Sequence, residues 1–296
     1  MTDAYTLTVA LGGTWSGGKG MASCPAHDDR TPSLSLADGA DGRLLLHCHA
    51  GCAFSDIRAA LRGRGLIAGC SSFKPIGEIC LAERRAAERA FKEKRACQAR
   101  RVWQEARPIP GTLAETYLRG RGITCPLPDT LRYIGNCWHQ TGQRYPALIS
   151  YVRNKGKAPG FAVHRTYLRA NGMGKADVTP AKAMLGPVSG GAVRLSKELG
   201  PLIVTEGIET GLSLLSGLLD QPGQAWAALS AGGMARLTLP DRPGRLIVAP
   251  DGDAVGQEAA ETLATRAHAL GWHVSLFPAP DGFDWNDVLT GKAVMA

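Results

Sequence analysis

From residue 201 onward, short apolar runs alternate with longer stretches that mix apolar and polar positions. Leu202–Thr205, Ala225–Leu229, Leu246–Ala249 and His273–Phe277 are strand-length runs. A helical stretch follows the first of them, reaching Leu219. Another spans Ala254–Leu270 and ends at Gly271, a residue suited to the left-handed turn that closes a helix. Short apolar strands alternating with amphipathic helices predict a parallel, doubly wound sheet. Residues 108–195 read differently, with turn clusters between strand-like runs such as Ala147–Val152 and Gly160–Val163, as in an α+β segment. Before them, Leu81–Ala106 is a long helix rich in Ala, Glu, Lys and Arg, stopped ahead of Pro108, and residues 69–80 are loop-like. At the front, Leu34–Leu36 and Leu44–Leu46 flank Asp38–Gly42, the composition of a hairpin turn, and Phe54–Leu61 reads as a short helix started by Ser55 and Asp56. The chain therefore divides into segments 1–68, 69–107, 108–198 and 199–296.

The second hairpin strand runs straight into Cys48. Cys24-Pro-Ala-His27 and Cys48-His-Ala-Gly-Cys52 form two close pairs of thiolate and imidazole side chains joined by a loop, the way one chain wraps a tetrahedral zinc ion. His47 and His49 are competitors for ligation. Cys48 and Cys52 are preferred, because two thiolates bind more strongly and leave the histidines free for other contacts. With four protein ligands the zinc, one per chain, is structural. The other five cysteines are scattered singly and are expected to be free thiols of a reducing compartment.

Acidic residues recur just beyond the apolar runs of the last segment. Glu206 follows Thr205, Asp251 and Asp253 follow Ala249, and Asp284 and Asp287 lie in Phe283-Asp-Trp-Asn-Asp-Val-Leu289. Ligands of open parallel sheets gather beyond the carboxyl ends of the strands. Grouped carboxylates suit Mg²⁺ or Mn²⁺, which keep water and substrate phosphates as their remaining ligands. Each of these residues alone is more simply a helix cap or turn former, and Asp253, Asp284 and Asp287 are all placed for that. The repetition at three consecutive strand ends favours metal chemistry.

Composition adds three constraints. Hydrophobic residues make up 44% of the 296, enough for globular folding. No run approaches the roughly 20 apolar residues that span a bilayer, and no signal peptide is visible, so a cytoplasmic protein with no membrane partner is expected. Lysine and arginine number 34 against 26 acidic residues, a net charge of +8 that suits a polyanion. The 81–106 helix contributes many of those charges, but Glu83, Glu88, Glu93 and Glu105 interleave with them, so a solvated helix face is its simpler reading.

The order Glu-Gly, Asp-Gly-Asp, Asp-Trp-Asn-Asp, in the contexts Val204-Thr-Glu-Gly-Ile-Glu-Thr-Gly-Leu-Ser213 and Ala249-Pro-Asp-Gly-Asp-Ala-Val-Gly256, resembles the Toprim domain of topoisomerases, bacterial-type primases, some nucleases and repair proteins. The Cys-His-Cys-Cys pattern resembles the zinc-binding domain of phage and plasmid primases, and the middle segment is similar to the basic subdomain that precedes Toprim there. This resemblance implies a primase that makes short RNA primers on single-stranded DNA from nucleoside triphosphates, beside a separate replicative helicase. It implies that Glu206 is a general acid/base or metal-facing carboxylate, that Asp251 and Asp253 hold Mg²⁺ or Mn²⁺, and that Asp284, with Asp287 after it, forms the third acidic motif. Two positions depart from the family pattern: Thr210 and Asn286 stand where aspartates are usual.

Joining nucleotides needs divalent ions between phosphates and rigidly held carboxylates. Arg165, Lys175 and Lys182 are the candidates to hold template or triphosphate. A near P-loop at Gly13–Gly20 lacks the final Ser/Thr and a preceding strand, and is read as a loop leading to the zinc module. A Toprim nuclease or repair factor and a non-catalytic DNA-binding accessory of a helicase are the alternatives.

Overall fold

The computed structural model describes residues 3–29, 31–39, 43–67, 78–154, 160–219 and 221–292, without the side chains of 78–85 and 88. Two compact units divide it, Met1–Phe91 and Lys92–Ala296. Part of the loop expected over 69–80, the tip of the expected hairpin turn, Cys70, and the side chains of Cys80, Glu83 and Glu88 lie outside the described residues.

The first unit begins with α1 (Ala4–Ala10), capped by the Asp3 carboxylate on Thr6 N. An antiparallel sheet follows in the order β1 (Thr14–Ser16), β2 (Lys19–Ala22), β3 (Leu34–Asp38), β4 (Leu44–Cys48), and then α2 (Phe54–Gly63). The β3–β4 hairpin forms as expected, with Leu34 opposite Cys48. The stretch Gly13–Gly20 is not the loop expected there, because residues 14–22 form two strands. They are a hairpin, because Gly17 and Gly18 both adopt positive φ (62° and 79°) and close a tight turn. Gly20 packs directly against Thr8 of α1, leaving no space for a side chain. The α2 helix starts at Phe54 as read and runs two residues past Leu61; its N-cap is Ala53, and Ser55 and Asp56 lie inside the first turn. Leu7, Leu34, Leu36, Ile57 and Leu61 form the core of this small unit.

Helix α3 (Glu78–Glu105) starts before the expected Leu81, so residues 78–80 are helical, not loop. The second unit then builds an antiparallel sheet in the order β5 (Arg107–Pro108), β6 (Leu131–Trp138), β7 (Arg144–Val152), β8 (Ala162–Tyr167), β9 (Lys182–Leu185), with α4 (Leu113–Gly120) between β5 and β6. The strand read at Gly160–Val163 is displaced to Ala162–Tyr167, where six consecutive residues are buried.

The last part is the parallel sheet. After the two-residue β10 (Val193–Arg194) come β11 (Leu202–Thr205), α5 (Ile208–Ser213) with a π-helical turn over Leu214–Leu218, β12 (Gln224–Ala227), α6 (Ala231–Ala235), β13 (Arg245–Ala249), α7 (Ala254–Ala269), β14 (His273–Leu276) and α8 (Trp285–Leu289). The strands lie in the order β10-β12-β11-β13-β14, all parallel except β10. β11 is central and buried at all four positions, which is why its sequence is uniformly apolar until Thr205. The fold is therefore the mixed α/β architecture expected: a small sheet carrying the Cys–His cluster, an antiparallel α+β part, and a parallel α/β part. Among the elements that escaped the pattern are α1, α4 and β10, together with α6 and α8, the last two only five residues long each. No described helix is long and apolar enough to cross a membrane.

Candidate metal centres

At the end of β4 the pleat delivers Cys48 inward, 3% exposed, while His47 and His49 point out and meet each other edge to face at 4.8 Å. Gly51, at φ 94°, turns the chain back so that Cys52 approaches the same point just ahead of α2. Cys24 and His27 come from the loop after β2. The donor atoms of Cys24, His27, Cys48 and Cys52 all lie within 4.8 Å of one another. A zinc tetrahedron with bonds of about 2.3 Å has edges of about 3.8 Å, so this donor set fits the ion in number, type and size. Among the described residues it is the one group of three or more metal-ligating side chains whose donors converge in this way.

Asp29 supports this cluster and was missed in the sequence. Its carboxylate accepts from Cys24 N (2.6 Å), Ser33 N (3.1 Å) and Ser33 Oγ (2.6 Å), and Oδ1 lies 3.8 Å from His27 Nε2. Those donors, Ser33 Oγ first, hold Asp29 at about 2. A permanently ionised carboxylate beside a ligating imidazole fixes the ring's orientation. Its spacing, two residues beyond His27, was the available signal.

The second centre lies where the parallel strands end. Glu206 directly follows β11, and its carboxylate accepts a hydrogen bond from the backbone of Ala231, at the start of α6. The backbone of Leu229 reaches Glu206 O (2.7 Å) with φ at 75°, a left-handed conformation that a leucine adopts only under constraint. Past β13, Asp251 is followed by Gly252, whose N–H donates to Phe283 O (2.8 Å) and whose carbonyl accepts from Gly282 N (2.7 Å). A Cβ at Gly252 would run into Pro280 O, so only glycine permits this close approach. That stitch brings Asp284 beside Asp251.

The four carboxylates feel one another. Burial pushes Asp251 up to about 6, with the charges of Glu206, Asp284 and Asp253 adding to the rise. Glu206 is raised by burial and then by Asp253. Asp253 and Asp284 also act as caps: Asp253 accepts from Gly256 N (2.6 Å), and Asp284 Oδ1 accepts from Asn286 N and Asp287 N (2.8 Å each). Capping and metal binding are compatible, since each occupies one carboxylate oxygen and leaves the other. Such mutual repulsion between hard oxygen donors fits a divalent cation. Asp287 turns elsewhere. It closes the capping box on Asp284 N and pairs with Lys292 at 3.0 Å. Burial works against its charge, but Lys292 and the Asp284 N–H outweigh it and hold Asp287 below the usual range.

Both departures from the family pattern acquire a role. Thr210 donates its hydroxyl to Asp251 Oδ1 (3.2 Å), orienting that carboxylate. Asn286, 2% exposed, donates to Arg121 O (2.7 Å) and Ser213 Oγ (2.9 Å), fastening α8 to α5.

The basic candidates separate. Lys175 and Lys182 both face Glu209, at 3.7 and 3.4 Å, and Tyr117 Oη donates to the same carboxylate at 2.7 Å. Glu209 is only 5% exposed. Burial would raise it, but Lys182 and Lys175 hold it well below the usual range. Lys182 also lies near enough to Glu206 to lower it. Arg165 is elsewhere, on the opposite face of β8 from His164, with Nη1 on Trp138 O (3.3 Å) and its guanidinium over Tyr167. Glu209→Gln leaves both lysines without a counter-charge, and the expected loss of stability is about 2 kcal/mol, since the lysines retain access to water. Denaturant unfolding with an unchanged m-value checks it.

The Asp251 shift has a sign for stability. Its folded value, about 6, exceeds the unfolded 3.8, so its contribution is full below the unfolded value and is lost as pH rises through about 6. In metal-free protein at pH 7, Asp251→Asn should therefore raise the melting temperature by roughly 2–4 °C; calorimetry in chelator checks this, and added Mg²⁺ should stabilise only the parent.

Residues 201–293 match the Toprim domain family. This part of the chain is a Toprim domain, and Glu206, Asp251, Asp253 and Asp284 stand at the carboxyl edge of its sheet. Residues 93–195 match a family described as a domain of unknown function (DUF7146). Solved structures similar to this chain include the zinc-binding and RNA polymerase domains of the Aquifex aeolicus primase, with 14% identity, 98% of this chain and 80% of that chain covered, and TM-score 0.41. The primase fragment of the bacteriophage T7 primase-helicase protein has 12% identity, coverages of 93% and 98%, and TM-score 0.38. A DNA primase domain from Pseudomonas aeruginosa has 18% identity, coverages of 67% and 75%, and TM-score 0.39. No curated protein matches the chain.

Proposed function

We propose that this protein is a DNA primase, synthesising short RNA primers on single-stranded DNA from nucleoside triphosphates by divalent-metal-dependent nucleotidyl transfer. The observation that carries the reading is the meeting of Glu206, Asp251, Asp253 and Asp284 at one edge of a Toprim sheet, in a chain whose first unit assembles a four-ligand Cys–His cluster. Segments 1–68, 69–107, 108–198 and 199–296 are then zinc module, linker, basic subdomain and Toprim domain. The zinc module grips template, and nucleoside triphosphates and a separate replicative helicase are the other partners.

Mg²⁺ or Mn²⁺, when bound, neutralises charge on the transferring phosphate and the leaving pyrophosphate. The chain's own residues prepare for this. Asp251 and Asp253 are the principal ligands, with Asp284 beside them, and Thr210 fixes the orientation of Asp251. Glu206, raised by burial, is suited to take the proton of an attacking 3′-hydroxyl. Lys182, near Glu206, is placed to meet a triphosphate. Asp287, turned to Asp284 N and Lys292, and Arg165, buried against Tyr167, are not among the groups that meet at this edge.

Incubation with single-stranded DNA, labelled nucleoside triphosphates and Mg²⁺ or Mn²⁺ tests the proposal. Oligoribonucleotide product with release of pyrophosphate supports it. DNA cleavage without such product, under either metal, replaces it by the nuclease reading. Because Asp251 must be ionised to bind metal and its carboxyl is raised to about 6 in the metal-free protein, the Mg²⁺ concentration that gives half-maximal activity should increase as the pH falls below about 6; a Mg²⁺ requirement unchanged between pH 7 and pH 5 contradicts that assignment.

A further inference from the structure

A recess in the Lys92–Ala296 unit lies away from the carboxylates. It is a groove of 1110 Å³ at the end of the parallel sheet where β12 begins, whereas Glu206 stands where β11 ends. Four residues of strand, about 13 Å of rise, separate those two edges. The lining combines Trp103, Tyr151 and Trp226 with Arg132, Arg153 and Arg194.

The arginines are ordered in advance. Arg132 stacks over Trp103 at 4.3 Å and donates to Trp103 O, and Arg194 stacks over Trp226 at 4.7 Å. Arg194 and Arg153 stand close enough that burial and the Arg153 charge both lower Arg194. Among the described residues neither forms an ion pair; of the two acids in the lining, Asp129 is taken by Lys197 at 2.9 Å and Glu198 pairs with neither arginine. Two guanidinium groups that line one groove and repel each other are an arrangement that an anion relieves. Trp103 and Tyr151, 5.6 Å apart, line the same groove; Arg132 lies over the one ring and Phe161 against the other, so what they offer a base is apolar contact along their exposed parts.

We infer that this groove holds a run of single-stranded DNA, with phosphodiesters at Arg153 and Arg194 and bases against Trp103 and Tyr151. Alternating cations and aromatic rings are the chemistry of sequence-tolerant strand binding. The volume exceeds the 300–1,000 Å³ or so that one small ligand fills, which favours a strand over a free nucleotide. The choice of DNA rests on the primase reading. The groove acts at the sheet edge remote from the carboxylates, so it anchors template while contributing nothing to bond formation.

The test uses the full chain, zinc-loaded, without nucleoside triphosphates or Mg²⁺, so that it does not depend on synthesis. Binding of fluorescently labelled oligodeoxythymidylate is followed by anisotropy across a salt series. The double variant Arg153→Ala/Arg194→Ala should bind at least about 10-fold more weakly, and its log–log salt slope should be shallower by about 1.4, the value for two lost phosphate contacts on a single strand. Photocrosslinking with iodouracil-substituted DNA should label Trp103 or Tyr151 in the parent and not in the double variant. Crosslinks confined to the Met1–Phe91 unit, or unchanged affinity and slope in a double variant of normal melting temperature, overturn the inference. So does saturation of the groove by a free mononucleotide at concentrations where the oligonucleotide does not bind, or preference for oligouridylate by 10-fold or more. If the strand binds as described and no primer is ever made, the groove stands and the primase reading fails.

Discussion

Asp251→Ala is expected to abolish primer synthesis, lowering it by about 10³-fold or more, in a protein that folds and retains its zinc. A metal-stabilised transfer draws several kcal/mol from the ion, and a factor of ten in rate corresponds to about 1.4 kcal/mol. Asp251 is the best placed of the carboxylates to hold that ion: it is partly buried, oriented by Thr210, and stands among the charges of Glu206, Asp253 and Asp284. Its removal takes a ligand away and also lowers the negative potential that attracts the cation. Glu206→Ala should do as much, through the lost proton acceptor. The loss is chemical and not a failure to fold, because the apo site is relieved by removing charge. Measured together, primer yield and melting temperature should move in opposite directions for Asp251→Asn. Primer synthesis within threefold of the parent in that variant contradicts the site.

Cys48→Ser is expected to take zinc content from one per chain to about zero, and to unfold the first unit. Structural zinc contributes about 10–16 kcal/mol at neutral pH, and a unit this small has little else to hold it. Cys48 is deeply built in. It ends β4 opposite Leu34, sits in the core with Leu36 and Ile57, and has Ser33 Oγ at 3.6 Å. Burial would raise its thiol, but backbone donors at Cys52 and Ala50 and the Ser33 hydroxyl lower it to about 6, ready for a cation. Limited proteolysis should then degrade the first unit and spare Lys92–Ala296. Cys97→Ser, at an exposed cysteine outside the cluster, should change neither zinc content nor cleavage. Full zinc occupancy in Cys48→Ser removes Cys48 from the ligand set.

Synthesis and zinc content thus test opposite ends of one chain, and the two ends were legible for different reasons. The Cys–His pairs are local: spacings of two and three residues across a tight turn confine the donors whatever the rest of the chain does. The carboxylates were legible because each directly follows an apolar run, and parallel strands deliver their ends to one edge. Short elements were harder. The hairpin over residues 14–22 contains Lys19 and three glycines, a composition that also suits a loop, and its strands exist because α1 and β3 cover them. α6 and α8 are single turns, below the length at which periodicity registers.

The sequence by itself determined the order of parts, the strand class of each sheet, and the donor atoms offered at both centres, because these follow from neighbours close in the chain. Only the tertiary structure decided how the charges are used. Glu209 meets Tyr117 and Lys182 across 92 and 27 residues of chain, and nothing near any of them announces the pairing. The same holds for Thr210 on Asp251, for Asp287 turned to Lys292, and for Arg153 left against Arg194. Whether a charge binds a ligand, caps a helix or neutralises a neighbour depends on burial and on partners a few ångströms away. Those distances are set by how the sheets and helices pack, and chain spacing does not encode them.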